Sequence, residues 1–427
     1  MPSRRGLLAA GAALPATAAL ARGLPEDPAA RVAADLARYI GFGSKNAGGA
    51  GDNACGAWLT GEIEKLGFKV EQQPVSVPYF IPERAELRCG TATASVWPQP
   101  IVVPTGPEGV AGPLVRIDGA GRAAGPLAGA VALLELPYAR WSTAIAKQVR
   151  EPITAAFAAG AKAVVVITNG PTGKVIALNA DGRKPMFAGP VALLAPNDAG
   201  PFLAAAIKGD TAILTVTGEN GRRPASNFIG RLDRGKKSWI AVSTPRSGWT
   251  DCAGERGGGI AAWLWLARWA SKAVTQHNLA FICNTGHEYE NLGAAEALKA
   301  TAPKPADTHF WLHLGANVAS QDWHDLTGQV LPGVDTQRFL SVTPSLMPLA
   351  RQVFAGLPGL EAPYASDKLS AGEQIEILAA GYANVAAVFG LHRYHHVLGD
   401  DARCISAAHV AKAAQAFQKL IESVTKA

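Results

Sequence analysis

The feature that most constrains the fold is a run of short apolar strands that alternate with helices after residue 223. Segments 239–243, 279–283 and 310–314 have the apolar, β-branched and aromatic content of buried strands. Segment 259–271 is apolar on nearly every face, which predicts a buried helix. Strands and helices in this alternation build a mostly parallel central sheet with helices on both faces. The sequence therefore predicts an α/β fold of that kind.

A change of composition predicts a second domain within the first. Residues 91–222 become rich in Gly, Pro, Ala and Val, and they carry short apolar strands and one helix. This pattern is typical of a small β-rich domain. It separates residues 28–90, where two helical patterns precede a strand, from residues 223–427. We expect the two flanking segments to form one larger domain and the middle segment to be an insertion, which a chain of 427 residues can accommodate.

The N-terminus has the pattern of an export signal. Arg4 and Arg5 precede a weakly hydrophobic run of small residues that ends near Ala19-Leu-Ala21. Adjacent arginines, a short apolar run and an A-x-A-like cleavage site are typical of a twin-arginine signal, and an ordinary secretory signal is the alternative. The run is too short and too rich in Ala, Gly and Pro for a membrane span. Residues 1–21 are therefore predicted to be removed, leaving a periplasmic or secreted protein without a membrane partner.

Composition excludes several classes of protein. The formal net charge is +6, but the basic residues are scattered and their longest cluster is the short segment 234–237, so no nucleic-acid partner is predicted. Five cysteines, an odd number in a chain this long, do not form a disulfide framework. A globular protein is the expectation.

Four polar segments follow the predicted strands of the larger domain. They are 244–255, 285–289, 313–317 and 394–400, and each is crowded with residue types that bind metals or transfer protons. In open α/β sheets, sites gather in the loops at the carboxyl ends of the strands. We therefore expect these segments to converge on one pocket.

The order of these segments resembles a known family. Phe42-Gly-Ser-Lys-Asn-Ala-Gly-Gly resembles the opening "FGxR.xGS" segment of the co-catalytic zinc exopeptidases of the bacterial leucyl aminopeptidase and carboxypeptidase Q type. Ser366-Asp-Lys followed by 378–385 resembles their "SDH…aGxP" stretch, and Arg393-Tyr-His-His-Val-Leu-Gly-Asp400 resembles their terminal "HHTxxD" motif. Residues 91–222 occupy the place of their protease-associated insert domain. The resemblance covers nearly the whole chain after the signal and implies the zinc-exopeptidase fold.

Carried over position by position, the resemblance implies a rebuilt metal site. The family's first metal is bound by the His of an "HxD" motif, a bridging Asp and a later Asp. The two "HxD" positions correspond to Thr244 and Arg246 and the later Asp to Gly315, none of which is a carboxylate or an imidazole. The ligands of the second metal correspond to a retained set of two carboxylates and one imidazole, Glu255, Glu288 and His396. Such a set suits one zinc ion with an open position, and it is similar to the single-metal arrangement of glutaminyl cyclases.

Four further residues receive roles as hypotheses. His287 corresponds to the family's general base and would titrate near neutral pH. Arg246 would supply positive charge where the first metal was, by pairing with Glu255 or with a substrate carboxylate. His313 shares a strand face with Gly315 and so faces the same pocket. Asp400 is expected to stabilise the loop that carries His396.

Three functions remain compatible with these residues. The first is an exported hydrolase or transferase that uses one zinc ion on an amide bond of a small peptide or amino-acid derivative. The second is a binding protein without catalytic activity, with the insert domain as a lid or as a surface for a partner. The third is a metal-free acid–base enzyme built on His287, Glu288, His396 and Arg246. A fold does not decide between them.

Overall fold

The computed structural model of the chain describes residues 27–426. The export signal predicted for residues 1–21 lies outside the described residues. The helices are α1 (Pro28–Ile40), α2 (Ala50–Glu64), α3 (Lys147–Ala158), α4 (Gly200–Lys208), α5 (Gly258–Ala273), α6 (Leu292–Ala300), α7 (Met347–Val353), α8 (Glu373–Ala379) and α9 (Ala407–Val424). No helix within residues 27–426 has the length and apolar character needed to cross a membrane.

The strands form one large sheet and a separate hairpin. They are β1 (Lys69–Cys89), β2 (Ala92–Pro98), β3 (Val110–Ile117), β4 (Val131–Glu135), β5 (Ala163–Ile167), β6 (Val191–Leu194), β7 (Thr211–Leu232), β8 (Trp239–Pro245), β9 (Asn278–Asn284), β10 (Thr308–Leu314), β11 (Gln321–Trp323), β12 (Val330–Val334), β13 (Arg338–Val342), β14 (Tyr364–Ala365) and β15 (Val385–Gly390). The 13-stranded sheet has the order β1-β2-β6-β5-β4-β3-β7-β9-β8-β10-β15-β13-β14, and β11 and β12 form the hairpin.

The predicted α/β architecture is confirmed. Strands β9, β8, β10 and β15 are parallel neighbours in the half of the sheet that follows residue 223. Alternate residues of β8 pack in different hydrophobic cores. Ile240 and Val242 pack with α1, α5 and α9, whereas Ala241 packs with α6 and α8. Helices therefore cover both faces of these strands. The carboxyl ends of β8, β9, β10 and β15 lie at one edge, and the polar segments begin there.

Residues 92–217 build the other half of the same sheet. Strands β3, β4, β5 and β6 are parallel, and they carry an apolar core on each face. The long strand β7 crosses residue 222 without interruption, and β1 pairs with it from Lys69 opposite Arg231 to Cys89 opposite Ala212. The composition change at residue 222 therefore falls inside a strand. The division into a larger domain and an insert domain remains a prediction.

Candidate active site

Glu255 lies at the entrance to helix α5. The backbone of Cys252 adopts the left-handed region, with φ of 54°, and residues Ala253–Gly257 then form one π-helical turn before the helix. The Asp400 carboxylate accepts hydrogen bonds from the N–H groups of Gly254 at 2.7 Å and of Glu255 at 3.0 Å. The first N–H groups of a helix have no partner within the helix, so an anion that accepts hydrogen bonds from them stabilises the helix. Asp400 thus has the stabilising role expected for it, and it positions Glu255.

Three buried donor groups converge beside this turn. Glu255, His395 and His396 each offer one ligand-type atom, and these atoms lie within 4.8 Å of one another. The His396 Nε2 atom is 3.3 Å from Glu255 Oε1, and the two imidazole rings stack with centroids 3.9 Å apart. A left-handed backbone at His396, with φ of 59°, turns the chain between the two histidines. The structure therefore joins two of the predicted ligands, Glu255 and His396, and adds His395.

The hydrogen bonding of this group fits a metal ion. The His396 Nδ1 atom lies 2.9 Å from the carbonyl oxygen of Ala177, so Nδ1 carries the proton and Nε2 presents a lone pair toward Glu255. A ligand histidine is commonly oriented by such a bond at its other nitrogen. Among the described residues, no hydrogen-bond partner is found for either carboxylate oxygen of Glu255 or for the Nδ1 atom of His395. Buried polar atoms without hydrogen bonds are costly, and a cation bound here would add to the one charged contact that Glu255 already has, with Arg256.

Arg256 supplies a competing positive charge. Its Nη2 atom is 2.8 Å from Glu255 Oε1, both side chains are buried, and its Nε donates to the Ser247 carbonyl oxygen at 3.1 Å. Burial alone raises the pKa of Glu255, but the charge of Arg256 lowers it well below the usual value. Glu255 is therefore an anion at neutral pH, whether its counter-charge is the guanidinium alone or a metal ion as well.

A second group of donor atoms lies behind the first. His392, Asp400 and Cys404 also offer buried ligand-type atoms within 4.8 Å of one another. The Asp400 carboxylate already accepts two backbone hydrogen bonds and lies 3.3 Å from His392 Nε2. Burial raises the pKa of the Cys404 thiol, which keeps it protonated and a poor ligand. This group supports the loop that carries the histidines.

Glu288 is held away from the Glu255 group. Its Oε2 atom accepts a hydrogen bond from the Ser247 hydroxyl at 2.6 Å, and its Oε1 atom accepts one from the backbone N–H of Ala47 at 2.9 Å. The side chain is buried, and burial outweighs these hydrogen bonds and raises the pKa to about 7. Glu288 is the third metal ligand predicted from the sequence. The structure instead gives its carboxylate two protein donors and leaves it outside the group of atoms within 4.8 Å.

The raised pKa of Glu288 predicts that the free energy of unfolding depends on pH. A carboxyl group whose pKa rises from 4.5 to about 7 on folding stabilises the fold below pH 4.5 and loses that contribution as pH rises through 7. The difference corresponds to about 3 kcal/mol. We expect the free energy of unfolding of the wild type, relative to Glu288→Gln, to fall by that amount between pH 4.5 and pH 8. Urea denaturation at both pH values in the presence of a chelator measures it, and parallel pH profiles would contradict it.

His287, Glu373 and His313 form a buried chain of titratable groups. His287 Nδ1 is 3.4 Å from Glu373 Oε1, and the side chain of His287 is 11% exposed. His313 Nδ1 lies 2.9 Å from the Ser243 hydroxyl and 3.8 Å from Glu373 Oε2. Burial lowers the pKa of His313 to about 4 and, together with Arg256, lowers that of His287. Both imidazoles are therefore neutral at pH 7, and Glu373 lies between them.

Arg246 has a different partner from the one predicted. Its Nε atom is 2.8 Å from Asp52 Oδ1, with both side chains fully buried, and its Nη2 donates to the carbonyl oxygen of Ser226 at 2.7 Å. The expectation that it would pair with Glu255 is wrong, because Arg256 takes that place. A fully buried guanidinium on a carboxylate joins helix α2 to the end of β8. Arg246 and Asp52 therefore form a structural ion pair.

A segment of the predicted insert covers the histidines and Glu288. The backbone of Ala177 both donates to the His396 carbonyl oxygen at 3.0 Å and accepts from the His396 imidazole. The N–H of Ala180 donates to the Glu288 carbonyl oxygen at 3.1 Å, and the Ser142 hydroxyl lies 3.3 Å from His395 Nε2. These bonds place Ser142 and the segment 177–180 against the site, where they help to bury its side chains.

Three residues of the site are not predicted from the sequence. His395 stands beside His396 in the "HH" pair, where only a loop or surface role is expected for it, yet it is buried and faces Glu255. Arg256 is notable in the sequence only as the neighbour of Glu255, and Glu373 lies in a helix of ordinary composition. The adjacent histidines carry a readable signal, because two consecutive imidazoles after a strand are unusual. No pattern in the sequence indicates Glu373.

Solved structures share this architecture at low sequence identity. BSAP, a zinc aminopeptidase from Bacillus subtilis, matches 94% of this chain and 96% of its own with a TM-score of 0.72 and 17% identity. An aminopeptidase from Aneurinibacillus sp. strain AM-1 matches 93% of each chain with a TM-score of 0.68 and 18% identity. This chain has the zinc-aminopeptidase fold. A peptidase family 28 precursor from Shewanella amazonensis SB2B agrees, with a TM-score of 0.71, 16% identity and coverage of 93% and 92%.

The predicted fold family is thereby confirmed. Neither a family model nor a curated protein matches the sequence. At identities below 20% the likeness to the zinc aminopeptidases concerns the fold, and the chemistry depends on the residues of this chain.

Proposed function

We propose that the protein is a hydrolase that cleaves an amide bond of a small peptide or amino-acid derivative with one zinc ion. Glu255, His395 and His396 would hold the ion. The observation that carries the proposal is the convergence of three buried donor groups whose ligand-type atoms lie within 4.8 Å and largely lack hydrogen-bond partners. One carboxylate and two imidazoles are a common protein ligand set of catalytic zinc sites.

The residues around this group supply the rest of the chemistry. A bound zinc ion would supply Lewis acidity at the scissile carbonyl group. His287 directs Nδ1 toward the Glu373 carboxylate, which leaves Nε2 free to accept a proton from the attacking water and return it to the leaving amine. The lowered pKa of His287 keeps Nε2 unprotonated at neutral pH. Arg256 adds positive charge beside Glu255.

A second candidate function is a metal-free binding protein. The observation that favours it is the buried ion pair of Arg256 and Glu255, with 2.8 Å between charged atoms. A guanidinium at that distance neutralises the carboxylate and repels a divalent cation from the same oxygen. The two candidates differ in whether His395 and His396 bind metal.

Metal content separates them. Protein purified without chelator and dialysed against micromolar zinc is expected to retain about one zinc ion per chain by inductively coupled plasma mass spectrometry. His395→Ala and His396→Ala should each lose it, whereas Glu288→Gln should keep it because its carboxylate is engaged by Ser247 and Ala47. A wild type without bound zinc would contradict the proposal and favour the binding protein. If Glu288→Gln lost the zinc ion, the result would support the ligand set predicted from the sequence, which includes Glu288.

We further propose that the chain acts outside the cytoplasm, in the periplasm or after secretion. The support is the twin-arginine-like segment at residues 1–21. We also propose that residues 91–222 act as a protease-associated type of insert that covers the site. Mass spectrometry of the mature N-terminus in the producing cell tests the first point, and a retained Arg4-Arg5 segment would contradict it.

A further inference from the structure

A cavity lies beside the site, and the proposed reaction does not use it. It measures about 440 Å³ and is enclosed by the middle of β1, the end of β2 and the loop that follows β2. This volume lies within the range of small-ligand pockets. Its lining includes four prolines and a set of aromatic side chains, Tyr79, Phe80, Trp97, Trp249 and Tyr289. The walls are therefore rigid and apolar.

Arg223 is the charged residue of this lining. Its Nε donates to the carbonyl oxygen of Ala47 at 2.8 Å, and its guanidinium carbon lies 5.6 Å from the centre of the Tyr79 ring. Among the described residues, no carboxylate lies within ion-pair distance of it. Its remaining N–H groups are thus available, and a fork of N–H donors is the protein group best shaped for a carboxylate.

The inner wall of the cavity is continuous with the groups that hold Glu288. Asn46 lines the cavity and precedes Ala47, whose N–H donates to Glu288. Tyr289 lines it and follows Glu288 in the chain. Trp249 packs edge-on against Tyr289, with ring centroids 5.5 Å apart, and lies two residues after Ser247. A molecule in the cavity therefore lies against the outer side of the Glu288 pocket.

We propose that this cavity binds the carboxylate-bearing, apolar end of a small peptide or N-acyl amino acid. The aromatic walls would contact the apolar side chain, and Arg223 would pair with the terminal carboxylate. The assignment of that molecule as substrate depends on the proposed hydrolase function, but its binding does not. Arg223 would then fulfil the carboxylate-binding role that the sequence suggested for Arg246.

Isothermal titration with a matched pair of probes tests the proposal. N-acetyl-phenylalanine carries the carboxylate, and N-acetyl-phenylalaninamide has the same side chain without it. The full-length wild type should bind the acid about tenfold more tightly than the amide, because one charge-assisted hydrogen bond is lost with the amide. Arg223→Met should reduce the affinity for the acid to that for the amide, and Arg223→Lys should retain part of the preference.

Two control variants distinguish Arg223 from a neighbouring charge and from a bound metal ion. Arg222→Met removes the same charge from the adjacent residue, which points the other way and donates to Ser76, so the preference for the acid should persist. His396→Ala, which lacks a proposed zinc ligand, should also keep the preference, and that result would exclude carboxylate binding to a metal. Equal affinities for acid and amide in the wild type, or a preference unchanged in Arg223→Met, would overturn the cavity assignment. A zinc-free protein with an intact preference would overturn the hydrolase alone.

Discussion

Replacing Arg246 by methionine is expected to lower the free energy of unfolding by about 3–5 kcal/mol, the usual cost of leaving one member of a buried ion pair alone. The Asp52 carboxylate is fully buried and would lose the cation that neutralises it. The guanidinium also donates to the backbone carbonyl oxygens of Asp52 and Ser226, which would lose those donors. Urea denaturation followed by circular dichroism measures the loss.

Two further variants test whether the lost stability comes from the buried ion pair. The double variant Arg246→Met/Asp52→Leu removes both charges, so it should recover part of the lost stability. Arg403→Met removes an arginine that pairs with Asp401 at the exposed surface, and no measurable change is expected there. A loss below about 1 kcal/mol in Arg246→Met would show that the pair is not a buried structural element. Its role would then have to be sought in ligand binding.

Replacing His287 by alanine is expected to reduce kcat on an aminoacyl or dipeptide substrate by about 10²–10⁴-fold, the usual contribution of a general base. His287 is the most exposed member of the His287–Glu373–His313 chain, so it is the one that a substrate can reach. Its lowered pKa predicts activity that persists below pH 6.5 before the acid limb begins. Steady-state kinetics from pH 4 to pH 9 measure both effects.

Glu373 should act as a positioning residue for His287. The Glu373 carboxylate raises the pKa of His287, so Glu373→Gln should move the acid limb of the pH profile to lower pH while reducing kcat less than His287→Ala does. A merely structural role would not shift the limb. His324→Ala removes an exposed histidine of the β11–β12 hairpin and should leave the profile unchanged. Wild-type kcat in His287→Ala would exclude this histidine as the base.

Much of the fold could be predicted from the sequence, because local patterns determine it. The apolar segment 163–167 forms β5, and the predicted buried helix 259–271 lies within α5. Apolar strands of five to seven residues have few alternatives when helices separate them. The boundary at residue 222 could not be placed from composition, because β7 runs through that residue and pairs with β1 on both sides of it.

The site was harder to predict because its contacts join distant parts of the chain. Family positions brought Glu255 and His396 together correctly, since both follow strand ends at one edge of the sheet. They did not give the partners of Arg246 or Glu288. Those partners include Asp52 and Ala47, which precede the insert by many residues and reach the site through tertiary packing. A substituted ligand position also frees its neighbours to rearrange, which a position-by-position comparison does not describe.

The paired hydrogen bonds between Ala177 and His396 have a consequence for how such a protein diverges. Both partners at residue 177 are backbone atoms, so the bonds depend on the position of that peptide group and not on the chemistry of its side chain. A gain or loss of one residue nearby would instead present the wrong peptide group to the imidazole. Natural variants of this chain should therefore conserve the length of that stretch, a constraint on spacing that a comparison of residue identities would miss.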